Sequence, residues 1–288
     1  MGEKRTGFSI GVSPAYFISR YTDRFSWQDV AECLADIARL GFDGFQLEIY
    51  HNENLDRWRS KGAVYIRNRS TDLGLTVSQF VAHFMIKAFS NPYELASDEI
   101  FEHMRSVVEI VEPFDECRVI TIPLGPFETP AGGSNNEAGF FLDQVGEKIR
   151  RLIEMAEVIE RKIALEIMPS AVIDGMEGFH VLCERLGTEG LGLNFDTGHT
   201  WASMESLYDV PSRLGSRILG THLCDNFGKE NLSLGPGKGS IDWPRLISEL
   251  ISAGYPGSFD VEIICAKEDT EREYKAALGF IQSLLQVN

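Results

Sequence analysis

Short apolar segments alternate with amphipathic segments from one end of the chain to the other. Gly, Pro and Asp bound the apolar segments, as is typical of buried parallel strands. The pattern predicts eight strands: Phe8–Ser13, Gly44–Tyr50, Thr76–His83, Cys117–Leu124, Lys162–Met168, Leu191–Asp196, Ile218–Cys224 and Ser258–Ile264.

The segments between these strands repeat their apolar residues at helical spacing. In the first long helix, Ser26 and Asp29 have the spacing of a capping box. The segment Arg57–Leu73 has the least regular helical pattern. Eight strands with intervening helices in 288 residues predict an α/β fold, a (β/α)8 TIM barrel in a single domain over residues 1–288. A doubly wound open sheet is the structural alternative.

Composition narrows the class of protein. The chain has no apolar run of 18 or more residues, so no membrane span is predicted. Its five cysteines are scattered without a CxxC spacing, which is typical of reduced thiols. With no recognisable signal peptide, these features predict a cytoplasmic location. The net charge of −16 argues against a nucleic-acid partner. A homo-oligomer is allowed but not specified.

Acidic and histidine side chains recur where the predicted strands end. Active sites of TIM barrels lie at the C-terminal ends of the strands. The polar residues at or near these ends are Glu48, His83, Glu166, Asp196, His199, His222 and Glu262.

Four of these residues lie at or near the ends of four successive predicted strands: Glu166, Asp196, His222 and Glu262. Each carboxylate alone could belong to an ordinary ion pair within a strand. Together they would converge on the barrel axis, where three buried carboxylates need a neutralising partner. Three oxygen ligands and one nitrogen ligand suit one divalent metal ion. We expect Mn²⁺ or Mg²⁺ in preference to Co²⁺ or Zn²⁺.

Five motifs carry a resemblance to a known superfamily: "ALEIMPS", "NFDTGHTW", "THLCDNFG", "GPGKGSIDWPRLISELISAGYPG" and "SFDVEI". Through them the chain resembles the sugar isomerase/epimerase superfamily, which has a xylose isomerase-like barrel, over essentially its whole length. The resemblance implies that Glu166, Asp196, His222 and Glu262 bind one divalent metal. It also implies that His199 contacts substrate hydroxyls, and that Glu166 and Glu262 move protons on opposite faces of the substrate.

The predicted function is isomerisation or epimerisation of a small keto-sugar or polyol-derived ketone. A metal that holds the carbonyl and a neighbouring hydroxyl stabilises the enediolate formed by proton removal. One carboxylate acts as the base and a second acid returns the proton. An inosose- or dehydroshikimate-type dehydratase needs the same residues and is the main alternative. A barrel that binds sugar or metal without turnover is the third hypothesis.

Departures from related families narrow this hypothesis. Ketose 3-epimerases usually have a second acid soon after the strand-five glutamate and an arginine after the strand-seven histidine. Here the next acid is Asp174, and Lys229 lies in the neighbourhood of the arginine. Endonuclease IV needs further metal ligands where this chain has Asn231 and Ser233. A strict 3-epimerase and a DNA-repair enzyme are therefore both disfavoured.

The remaining candidate residues have structural alternatives. His83 is a candidate substrate ligand or a buried structural histidine, and Glu48 is a candidate substrate ligand or an ion-pair partner. Trp201 would wall the pocket or pack in the core, and Lys229 is a candidate substrate contact. The Gly- and Asn-rich segment Glu128–Gly139 is a candidate lid.

Overall fold

A parallel sheet forms the centre of the protein. The computed structural model describes residues 7–128, 137–173 and 175–287. Its strands are β1 (Ile10–Val12), β2 (Gly44–Glu48), β3 (Thr76–Val81), β4 (Val119–Leu124), β5 (Lys162–Ile167), β6 (Leu191–Asp196), β7 (Ile218–His222) and β8 (Phe259–Val261).

Each strand is paired in parallel with its neighbour in the sequence, and β1 is also paired with β8. Between β7 and β8 a single parallel bridge joins Leu223 to Val261. There the Leu223 N–H donates to the Asp260 carbonyl at 2.8 Å, and the Glu262 N–H donates to the Leu223 carbonyl at 3.0 Å. The sheet is thus a nearly closed barrel. The predicted TIM barrel is confirmed, and the doubly wound alternative is wrong.

Helices surround the barrel. They are α1 (Ala15–Tyr21), α2 (Trp27–Leu40), α3 (Leu55–Arg57), α4 (Ala63–Leu73), α5 (Pro92–Ala96), α6 (Glu99–Val111), α7 (Glu137–Glu157), α8 (Gly175–Leu186), α9 (Thr197–Ala202), α10 (Val210–Leu214), α11 (Trp243–Ser252) and α12 (Thr270–Leu285). Short 3₁₀ helices cover Asn52–Asn54, His83–Phe89, Gly215–Arg217 and Lys267–Asp269.

Two local predictions about the helices are confirmed. The Ser26 hydroxyl accepts from the Asp29 N–H, and the Asp29 carboxylate accepts from the Ser26 N–H at 2.7 Å, which completes the capping box of α2. The irregular segment joins α3 to α4 through a π-helical segment, Trp58–Gly62. Trp58 itself is fully buried in the core between barrel and helices.

The predicted strands extend beyond the observed ones, and two candidate residues lie just outside them. His83 begins the 3₁₀ helix that follows β3, and Glu262 comes directly after β8. The apolar sequence continues past the last ladder hydrogen bonds of β8, but the Ile264 N–H donates to the Ser233 carbonyl on another loop. Apolarity alone therefore does not mark where a barrel strand ends.

Two other predictions concern the candidate lid and the absence of a membrane span. Most of the candidate lid, residues 129–136, lies outside the described residues. Within the described ranges, no helix combines the length and apolarity that crossing a bilayer requires.

The segment that carries His83 is fixed by a buried lysine. Lys148 of α7 donates to the carbonyls of Ala88, Glu94 and Ser97 at 3.4, 2.9 and 2.8 Å. Lys148 is only 5% exposed, and this burial lowers the pKa of its ammonium group to about 8. One side chain thus ties α7 to the 3₁₀ helix and to α5.

We expect Lys148→Met to lower the free energy of unfolding by about 1–3 kcal/mol, because buried carbonyls lose their donor. Chemical denaturation monitored by circular dichroism measures this change. Lys275→Met, at an exposed position of α12, is the matched control and should change stability little. Equal stability of the two variants would contradict a structural role for Lys148.

Candidate active site at the C-terminal end of the barrel

The strand geometry brings the four predicted metal ligands to one end of the barrel. Glu166 is the second-last residue of β5, Asp196 and His222 end β6 and β7, and Glu262 follows β8. Glu166, Asp196 and His222 are each at least 96% buried, whereas the Glu262 side chain is 15% exposed. Because parallel strands present their C-terminal ends on the same face, four distant sequence segments meet here.

The imidazole of His222 is the centre of the cluster. Its Nδ1 lies 2.9 Å from Glu262 Oε2, 3.3 Å from Glu166 Oε2 and 3.8 Å from Asp196 Oδ2. Three carboxylate groups therefore face one ring nitrogen.

Two buried polar atoms of this cluster indicate whether a metal ion fits there. Asp196 Oδ2 and His222 Nδ1 are both buried without a hydrogen bond of acceptable geometry. Glu166, Asp196 and His222 each offer a ligand atom, and these atoms lie within 4.8 Å of one another. A buried polar atom without a partner is unfavourable, and a divalent cation bound by O and N ligands removes that cost. The residues fit the predicted metal ion.

The charges in the cluster shift one another's pKa values. Burial raises the pKa of Asp196 to about 6. For Glu166, burial alone would raise the pKa, but the adjacent His222 outweighs it and lowers the pKa to about 2. Burial opposes the charge of His222, yet Glu166 and Glu262 raise its pKa well above the usual value. Such opposed shifts are typical of functional sites.

A chain of side-chain amides supports Glu166 from inside the barrel. Asn194 Nδ2 donates to Glu166 Oε2 at 3.3 Å, and Gln79 Nε2 donates to Asn194 Oδ1 at 2.9 Å. The Thr121 hydroxyl donates to Gln79 Oε1 at 2.5 Å. Neither Gln79 nor Asn194 is predicted from the sequence pattern. Their signal is an amide between apolar residues of a strand, in "TVSQFV" and "LGLNFD".

His199 lies beside the cluster on α9. Asp196 is the N-cap of α9, and its Oδ1 accepts from the His199 N–H at 2.7 Å. This cap turns the ring so that Nε2 lies 3.9 Å from both Glu166 Oε1 and Asp196 Oδ2. His199 Nδ1 is buried without a partner. The ring is thus close enough to contact a molecule bound at the cluster.

Glu48 and His83 form a second pair of polar residues at the same end of the barrel. Glu48 is 3% exposed, its Oε1 lies 3.4 Å from His83 Nδ1, and its Oε2 is buried without a partner. Burial raises the pKa of Glu48. Burial would lower the pKa of His83, but Glu48 outweighs it and raises the value. The His83 ring stacks on Tyr50 with 3.9 Å between the centroids.

The other two candidates are Trp201 and Lys229. Trp201, on α9, is half-buried and donates from Nε1 to the Ser240 hydroxyl at 3.0 Å. Lys229 is exposed on the loop after β7. That loop is organised by Asp225, whose carboxylate accepts from Trp243 Nε1 at 2.8 Å and from the Gly237 N–H at 3.0 Å. Asp225 therefore fixes the loop and does not contact the cluster through these bonds.

Comparison with known proteins identifies the family of this barrel. A family model for the xylose isomerase-like TIM barrel matches residues 34–284. The chain belongs to this family.

Curated relatives of this xylose isomerase-like barrel are distant. Inosose isomerases of Halalkalibacterium halodurans and Bacillus licheniformis are 23% and 24% identical over 183 residues, which is 61% of this chain. The alignments cover 63% and 64% of those two proteins. For two other relatives, from Methanocaldococcus jannaschii and Sinorhizobium fredii, only 45% and 33% of the relative is covered. The chain thus spans less than two thirds of the curated relatives it matches.

Solved structures confirm the fold over nearly the whole chain. A D-tagatose 3-epimerase-like protein superposes with a TM-score of 0.72 at 21% identity, covering 97% of this chain and 98% of that one. IolI with a bound zinc atom gives 0.75 at 15%, covering 95% and 98%. The probable 3-DHS dehydratase AsbF of Bacillus anthracis gives 0.74 at 17%, covering 96% and 99%. At these identities the likeness concerns the fold alone.

Gly220 makes room for the amides that support Glu166. A Cβ atom at this position of β7 would lie 2.6 Å from Gln79 Oε1 and 2.7 Å from Asn194 Oδ1. Both distances are shorter than a carbon atom tolerates. A larger residue here would therefore push the amide chain away from Glu166.

We expect Gly220→Ala to destabilise this barrel by about 1–3 kcal/mol, because it overpacks the interior. Gly279→Ala is the control, since a Cβ there meets nothing within 4 Å and the residue is within α12. That control should be neutral or more stable by about 0.5–1 kcal/mol. Denaturant unfolding measures both variants. A neutral effect of Gly220→Ala would show that the amides can move freely.

Proposed function

We propose that this protein is a divalent-metal-dependent isomerase or epimerase. Its substrate is a small keto-sugar or polyol-derived ketone, and the reaction moves a proton on a carbon next to the carbonyl. The observation that carries the proposal is the convergence of Glu166, Asp196, Glu262 and His222, with two of their buried atoms unpartnered. Relatives described as inosose isomerases support the same class of reaction.

Glu166, Asp196, His222 and Glu262 would hold the cation, with Mn²⁺ or Mg²⁺ as the expected ion and Zn²⁺ or Co²⁺ as alternatives. A bound divalent cation supplies Lewis acidity, which orients neighbouring substrate oxygens and stabilises the negative charge that develops on proton removal. Zinc in the IolI structure supports a divalent ion in this type of barrel.

Glu166 and Glu262 carry out the proton transfers in this proposal. They come from β5 and from the end of β8, which are three strands apart in the barrel, so they approach a substrate from different sides. One carboxylate takes the proton from the carbon beside the carbonyl. The other, in its protonated form, returns a proton to the opposite face of that carbon or to its neighbour. The first outcome is an epimer and the second an isomer.

The remaining candidates orient the substrate. Glu48 Oε2, buried and unpartnered, would accept a hydrogen bond from a substrate hydroxyl. His83 and His199 would bind further hydroxyls. Trp201 would form a wall of the pocket, because an aromatic face suits the apolar face of a sugar ring, and Lys229 would contact the substrate from the loop after β7. These interactions select a small, hydroxyl-rich molecule.

A specific observation also favours a dehydratase as the second candidate. The Glu48 carboxylate raises the pKa of His83 and thus favours its protonated form. A protonated imidazole can give its proton to a β-hydroxyl, which then leaves as water from the same enediolate. The similarity to AsbF, described as a probable 3-DHS dehydratase, supports this alternative.

Incubation of the purified protein with keto-sugars and inososes in D₂O distinguishes these reactions. We expect solvent deuterium in the product without loss of water, monitored by NMR and mass spectrometry. Loss of water would support the dehydratase. No exchange and no product across the panel would contradict both enzymes.

Glu262→Gln should lower turnover by about 10²–10⁴-fold, as expected for removal of an acid–base group. The control Glu268→Gln, at an exposed position after β8, should retain full turnover.

We expect Asp196→Asn to lower the affinity for Mn²⁺ by more than about 100-fold, beyond the typical loss of an outer-sphere partner. Asparagine still caps α9, so the fold should persist. Asp242→Asn, which alters the N-cap of α11 in the same way, is the control and should bind metal normally. Metal titration, elemental analysis and anomalous scattering provide the measurements. Unchanged metal binding in Asp196→Asn would overturn the proposed metal site.

A further inference from the structure

Behind His222, on the side away from the carboxylates, lies a glutamine of β2. Gln46 is completely buried, and its Oε1 lies 2.8 Å from His222 Nε2. The sequence pattern alone predicts no role for Gln46. Its contact concerns the ring nitrogen opposite the one that faces Glu166, Asp196 and Glu262.

Other contacts fix which way the Gln46 amide points. Gln46 Nε2 donates to Asp260 Oδ2 at 2.8 Å and to the Thr221 carbonyl at 3.3 Å. A backbone carbonyl can only accept a hydrogen bond. The NH₂ group therefore faces Thr221, and the amide oxygen must face His222.

This orientation determines where His222 carries its proton. An amide oxygen only accepts, so His222 Nε2 must be the donor in the 2.8 Å contact. In the neutral ring, Nδ1 then holds the lone pair. We propose that Gln46 is a positioning residue, which places the His222 proton on Nε2 and directs the Nδ1 lone pair at the proposed metal site.

The amide is in turn held by a network across the barrel interior. Asp260 is 1% exposed, and its Oδ2 also accepts from the Ser78 hydroxyl at 2.7 Å. Its Oδ1 accepts from the Ser258 hydroxyl at 2.6 Å. Gln46, Ser78, Asp260 and the Thr221 carbonyl belong to β2, β3, β8 and β7. Rotation of the Gln46 amide would break its contacts to β7 and β8.

The inference rests on the metal site of the proposed function, but it concerns metal affinity and not turnover. If Gln46 only filled space, an apolar residue of similar size would leave metal binding unchanged. If its oxygen selects the tautomer, losing that oxygen weakens metal binding although all four ligands remain. Partners that orient a metal-bound histidine typically contribute about 10–100-fold to metal affinity.

The test compares Gln46→Leu with a variant that retains an acceptor. In the double variant Gln46→Glu/Asp260→Asn, the carboxylate still accepts from His222 Nε2 and the new amide donates to it, while the hydrogen bond to the Thr221 carbonyl is lost. The charge of the pair is unchanged. Gln28→Leu, on the exposed side of α2, is the control. Zn²⁺ is the probe, because it is diamagnetic and allows both affinity titration and ¹⁵N NMR of the histidine rings.

We expect Gln46→Leu to bind Zn²⁺ about 10–100-fold more weakly than the unaltered protein. The double variant and Gln28→Leu should remain within about threefold, and both should keep the Nε2–H signal of His222. Unchanged affinity and an unchanged Nε2–H signal in Gln46→Leu would overturn the inference. Should Gln46→Leu fail to fold, absence of the His222 Nε2–H signal in the zinc-bound unaltered protein would overturn it instead. Neither readout uses a substrate, so a failed turnover screen leaves this result intact.

Discussion

The mutual repulsion of three carboxylates around one imidazole is the constraint on which this structure depends. Glu166, Asp196 and Glu262 all face His222 Nδ1 at the end of the barrel. Two like charges 4 Å apart repel by roughly 4 kcal/mol at the dielectric typical of protein sites. Only a cation or a proton at the centre relieves this repulsion. A site that concentrates negative charge in this way is suited to bind a divalent ion and to accept a proton from a weakly acidic carbon.

The barrel interior holds that charge in place with neutral amides. Asn194 and Gln79 lie behind Glu166, and Gln46 lies behind His222. Amides suit this position because each can accept from one neighbour and donate to the next without adding charge. Gly220 provides the space for one of the two chains. This arrangement places polar side chains in the barrel interior, where apolar side chains would pack more simply. Natural proteins often give up some stability in this way at functional sites.

The barrel and the convergence of Glu166, Asp196, His222 and Glu262 could be predicted from the sequence for one physical reason. Parallel strands are short apolar segments, and a polar residue at the end of such a segment must lie at the mouth of the barrel. The amides inside the strands could not be predicted in the same way. Both faces of a barrel strand are buried, so nothing in "GFQLEIY" shows that Gln46 faces the axis. Its partners Asp260 and Thr221 lie more than 170 positions away, and only the closed sheet brings them together. The position of Lys229, which is exposed on the loop after β7, depends on loop geometry that the strand pattern does not predict either.

The choice between isomerase and dehydratase comes down to which group returns a proton after the shared first step. Both reactions begin when a carboxylate takes a proton from the carbon beside the carbonyl. Glu166 and Glu262 lie at the charge cluster, and in the proposed function a proton held by either would return to carbon. His83 is held instead by Glu48 and Tyr50, in a separate pair at the same end of the barrel. A proton from His83 would reach a substrate oxygen bound near that pair, and protonation of oxygen favours loss of water. In the proposed function, a substrate whose β-hydroxyl lies at His83 would therefore lose water, whereas one without a hydroxyl there would be isomerised.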